Sequence, residues 1–148
     1  MTRAQLTEKI TAIRRKKRLS WQAIAREIGP LSPIFCTAAL LGQMKLEKSE
    51  AEAAGRILGL DEDEVGLLQE VPYRGGLPTT VPTDPLIYRF YELLQVYGPT
   101  LKALIEEEFG DGIMSAIDFD MAFERQPDPK GDRVRLTMSG KFLSYKRY

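Results

Sequence analysis

Arg89 and Glu92 stand three residues apart between tyrosines in the stretch YRFYELLQVYG, residues 88–98. On a helix that spacing turns both side chains to one face. Arginine and glutamate belong to a set of residue types suited to holding small anions. Tyr88 and Gln95 can flank the pair, while Phe90, Leu94 and Tyr97 take up other faces. A surface ion pair contributing at most about 1 kcal/mol is the plainer reading of such a spacing. Helical spacing alone does not decide between them.

The remaining inventory narrows the chemistry. The chain has no histidine, which removes the commonest general base, the usual nucleophilic triad and most zinc sites. Cys36 is the only cysteine, so there is no intrachain disulfide and no CxxC pair. It lies in an apolar run with no basic neighbour to lower its pKa, as a small core residue would. The glycines of YRGGLP and FGDG lack the lysine and the spacing of a phosphate loop. Arg, Glu, Ser and Tyr remain, a set suited to holding small anions rather than to activating water.

The elements that must position these residues fall into two halves. Leu6, Ile10 and Ile13 recur at helical spacing, Ser20 is placed to cap WQAIAREIG, and Ser32 followed by Pro33 opens PIFCTAALLG. A further helix runs near Ser49 to Leu58, and Asp61 opens a fifth whose acidic first turn suits the helix dipole. PYRGGLPTTVPTDP, with four prolines and two adjacent glycines, reads as an ordered linker. Thr83 or Asp84 then caps a helix with Pro85 in its first turn, which carries the opening stretch to Gly98. Pro99 and Thr100 begin the next helix, closed by GDG. Beyond it the period changes to two, and IMSAIDFDMAF and RVRLTMSGKFL read as strands joined by QPDPKGD. The fold class is α+β, with an all-helical domain over 1–75 and a helix-plus-strand domain over 76–148. The second is too small to cover both faces of its own sheet, which points to an obligate oligomer.

Formal net charge is zero, but its placement is uneven. The run RRKKR at 14–18 makes the N-terminal segment basic, and Asp61-Glu62-Asp63-Glu64 makes residues 46–70 acidic. Solvated surfaces are the simpler account of both, and attraction between subunits the other. No apolar run resembles a signal peptide or approaches the roughly 20 residues that span a bilayer, so a cytoplasmic protein is expected.

LSWQAIAREIGPLSPIFCTAALLG has the pattern of a helix-turn-helix, with Ala25 in the first helix and Gly29 in the turn. A basic run just upstream would suit phosphates. The second helix lacks what base reading needs: from Pro30 to Gly42 no residue is charged, and Ser32 and Thr37 are the only polar side chains. The expectation is a repressor-like lobe whose groove-reading face has become a packing face, with no nucleic acid as partner.

PTDPLIYRFYELLQVYGPTLKALIEEEFGDGIMSAIDF is strongly similar to the signature region of the cyanate hydratase (cyanase) family, and TAALLGQ, LDEDEVGLLQ and GKFL resemble further family segments in the same order. The resemblance runs from about Leu19 to Leu143. It implies a repressor-like N-terminal lobe joined to a C-terminal lobe interlocked between subunits, in a homodecamer of five dimers. It also implies bicarbonate-dependent conversion of cyanate to carbon dioxide and carbamate, the latter giving ammonia and more carbon dioxide. By matching motif, it assigns catalysis to Arg89, Glu92 and Ser115. Bicarbonate is then a co-substrate, and no metal or organic cofactor is implied. One departure is Gly76, where bacterial members can carry a cysteine. It bears on thiol sensitivity and loop stability, not on the catalytic set.

Overall fold

In the computed structural model, which describes residues 1–148, the element order is α1 (Arg3–Lys16), α2 (Trp21–Ile28), α3 (Pro33–Leu40), α4 (Lys48–Leu58), α5 (Glu62–Gln69), α6 (Pro85–Phe109), β1 (Gly112–Gln126) and β2 (Arg133–Ser144). The strands form one two-stranded sheet. The fold is α+β. Two compact units result, Met1–Gly76 with Met121–Thr137, and Leu77–Asp120 with Met138–Tyr148.

Local signals start the helices. Ser20 accepts the Ala23 N–H at 3.0 Å, Ser32 accepts that of Ile34 ahead of Pro33, and Asp84 accepts those of Leu86 and Ile87, both at 2.9 Å. Each satisfies amides that a helix start leaves open. In the helical unit Leu6, Ile10, Ile24, Leu40, Leu46, Leu58 and Leu68 meet in one core with Cys36 and with Ala51 and Ala54 of α4. Full burial of each large side chain contributes about 1.5–3 kcal/mol. Burial pushes the Cys36 thiol up, with the charge of Glu50 adding to the effect.

Glu64 departs from the solvated acidic face expected of its run. Its side chain is 2 % exposed and paired with Lys9. The second carboxylate oxygen accepts the Asp61 N–H at 3.0 Å, while Asp61 accepts the Glu64 N–H at 2.9 Å, completing a capping box. Thus one buried carboxylate ties α1 to the start of α5. Lys9→Ala should cost about 2 kcal/mol in denaturant unfolding at fixed protomer concentration, because a buried charge is left without its cation. Recovery of part of that loss in Lys9→Ala/Glu64→Gln would identify the charge as the cause. A loss under about 0.5 kcal/mol would count Lys9 among ordinary surface residues.

Pro99 does not begin a new helix: α6 is continuous over 25 residues with Pro99 inside it. Proline's fixed φ fits the helical region, and its cost is one missing N–H and crowding of the preceding turn, so a helix supported on both sides can pass through. The other expected elements stand within a few residues of their positions, the linker included. There Gln43 accepts the Gly75 N–H at 2.8 Å. At Gly76 a Cβ would come 2.9 Å from Gln43 Nε2, so any side chain there has to displace the Gln43 amide.

In the second unit, α6 leads into the hairpin base through the tilted rings of Phe109 and Phe142, 5.2 Å apart, and the Tyr145 N–H donates to Asp111 O at 3.2 Å. No residue of α6 is buried within the chain. At the hairpin turn, the Lys130 N–H and the Arg133 guanidinium hold Asp128 below the usual carboxylate range.

Candidate active site

Asp84 and Pro85 start α6 and so fix the helical phase on which Arg89 and Glu92 meet one turn later. Arg89 Nη1 lies 2.9 Å from Glu92 Oε2. The guanidinium carbon also lies 5.5 Å from the centre of the Tyr88 ring, and Tyr88 and Tyr91 rings approach to 5.8 Å. The pair is half open to solvent, at 66 % and 46 % exposure, so its contribution to stability is small. What the arrangement supplies is orientation. Glu92 engages one edge of the fork and Tyr88 a face, which leaves the other N–H groups for an anion.

Ser115 is buried, at 5 % exposure, near the start of β1. Its Oγ accepts the N–H groups of Ile117 and Asp118, each at 3.0 Å. Within one chain the structure brings Arg89 and Glu92 together, and Ser115 is hydrogen-bonded to neither. The tether of Ser115 to its own strand was invisible in the sequence, where a serine in an alternating run carries no sign of it. Tyr88 was named as a flank and is one, whereas Tyr91 entered no expectation. Its i, i+3 spacing from Tyr88 was the available signal.

Two other features bear on function. In α3, Cys36, Ala39 and Leu40 are buried, and the outward residues include Pro33 and Phe35, so this helix presents no charged or amide side chain to a groove. No helix is long and apolar enough to cross a membrane.

Comparison with known proteins accounts for nearly the entire chain. Residues 3–72 match the family model for cyanate hydratase, N-terminal, and residues 79–147 that for the cyanate lyase C-terminal domain. The cyanate hydratase of Ralstonia pickettii (strain 12J) is 61 % identical over 148 residues, and that of Dechloromonas aromatica (strain RCB) 60 %, each over 100 % of both chains. The crystal structure of cyanase from T. urticae superposes with a TM-score of 0.81 at 35 % identity, covering 94 % of this chain and 96 % of that one.

Proposed function

The chain belongs to the cyanate hydratase family, and from that premise we propose that it decomposes cyanate with bicarbonate as co-substrate. Bicarbonate oxygen bonds to the cyanate carbon. Cleavage of the bicarbonate carbon–oxygen bond then releases carbon dioxide, and the nitrogen acquires protons to give carbamate. One proton from solution balances this step, and carbamate then takes up a second proton and decays to ammonia and a second carbon dioxide. Since bicarbonate carries its own proton and nucleophile, the protein needs no histidine base. Its work is to bring two anions together and stabilise their adduct.

One observation carries the assignment of roles. The segment that matches the family's C-terminal domain holds a guanidinium, fixed by a carboxylate, at an exposed helical turn. Arg89 holds the anions and stabilises charge developing on the adduct. Glu92 orients Arg89 and discriminates against arbitrary anions by its own charge. Ser115 donates its hydroxyl proton to a substrate oxygen or nitrogen.

Self-association completes the proposal, as a decamer of five dimers. Support comes from α6, on which Phe90, Leu93, Leu94, Val96, Tyr97 and Leu104 are all at least 47 % exposed within the chain. A helix apolar around so much of its surface needs covering.

The deciding experiment measures ammonia released from cyanate by the purified protein under carbon dioxide-depleted conditions, with and without added bicarbonate. Release that requires bicarbonate is expected. No release from a well-folded oligomer would defeat the proposal and turn attention to salt-dependent DNA binding.

A further inference from the structure

Ser115 sits in β1 in a conformation that a regular strand would not give it. Two amides, of Ile117 and Asp118, are tied at 3.0 Å to a side chain two and three residues back, instead of being left to a cross-strand partner. Bonds from the Ile117 and Asp118 amides to one side chain two and three residues back bend the β1 backbone locally at Ser115. With two donors already on its oxygen, the hydroxyl's own proton is what it can still offer, which makes Ser115 a donor toward a ligand.

The opposite strand permits this conformation. A Cβ at Gly140 would fall inside van der Waals contact with the Ser115 carbonyl oxygen and with Met114 Cγ, and would lie 3.3 Å from Phe119 Cδ2. The nearest obstacle is backbone, so a side chain could enter only by displacing Ser115. Gly140 is not among the glycines with positive φ. The position therefore requires glycine for space and not for backbone freedom.

We propose that Gly140 is a positioning residue for Ser115: by carrying no Cβ it lets β2 run against the Ser115 carbonyl and keeps β1 in the tethered conformation that sets the hydroxyl. This rests on the role proposed for Ser115 above. A displacement of the hydroxyl by about 1 Å is enough to cost roughly a hundredfold in rate.

The test is a double-mutant cycle of Gly140→Ala and Ser115→Ala, read as kcat/KM for cyanate with the oligomer checked by light scattering. Gly140→Ala should lose about a hundredfold, chiefly in kcat, with the oligomer intact. Added to Ser115→Ala it should cost nothing more, because its effect passes through the missing hydroxyl. Additive losses, or a Gly140→Ala variant with full activity, overturn the proposal while leaving an active wild type in place. A wild type that releases no ammonia overturns the proposed function and this role with it. If Gly140→Ala does not assemble, amide exchange decides. Slow exchange at Ile117 and Asp118 in the wild type, lost in Ser115→Ala, supports the tether. Equal rates in the two proteins refute it.

Discussion

Arg89→Lys should lower kcat/KM for cyanate by about 10²–10³-fold, the range for losing one preorganised donor to a developing anion, with assembly unchanged. The substitution keeps the positive charge and removes the fork. In the native site Nη1 is held 2.9 Å from Glu92 and the guanidinium lies beside Tyr88, so the remaining N–H groups have a defined direction. A lysine ammonium is a point charge on a flexible stem. Glu92 would draw it in, leaving no second rigid donor for the substrate. Stability should barely change, because Arg89 is mostly exposed and its ion pair contributes little to folding. Steady-state ammonia release beside size-exclusion chromatography separates the two effects. Turnover near the wild-type rate would remove Arg89 from its proposed role.

Mixing two inactive proteins should restore activity. If Arg89 and Glu92 come from one subunit and Ser115 from its partner, a two-fold interface places the two contributions reciprocally. Arg89→Lys subunits then supply intact serines and Ser115→Ala subunits intact arginines. Random reassembly at equal ratio rebuilds about one quarter of the sites with both residues native. The prediction has a structural motive, since within the chain the Ser115 hydroxyl is bonded to its own strand and not to Arg89 or Glu92. Activity is read after dissociation and reassembly, against each variant taken through the same cycle. Activity that stays at the level of the separate variants would assign all of these residues to one subunit's site.

Much of the fold follows from short-range chemistry, which is why it can be read along the chain. Ser20, Ser32 and Asp61 cap the helices they were expected to cap, and of Thr83 and Asp84 it is Asp84 that caps α6, because a side-chain oxygen reaches an amide only two or three residues on. The change of period after GDG marks the strands for a similar reason, since pleat geometry repeats every two residues whatever the sheet packs against. Pro99 misleads at this level. Proline is a local stop signal, yet α6 runs through it, because its fixed φ is itself helical and the lost hydrogen bond and crowding fall on a single turn of a 25-residue helix. Glu64 misleads in another way. Four acidic residues in sequence resemble a solvated face, but the last of them is buried against Lys9, 55 positions away.

For the candidate site the division is sharper. The sequence alone determined that histidine chemistry was unavailable, that Arg89 and Glu92 share a helical face, and that the long central segment resembles one enzyme family. These depend on residue identity and on spacing within one helical turn. Only the tertiary structure decided that the pair is joined at 2.9 Å and that Ser115 is buried with its oxygen committed to two amides. It alone also set β2 so close at Gly140 that no side chain fits. The pair and the serine tether span only two or three residues, but spacing does not say whether such a contact forms, and burial and the close approach of Gly140 to Ser115 are properties of packed surfaces that no single stretch of residues carries by itself.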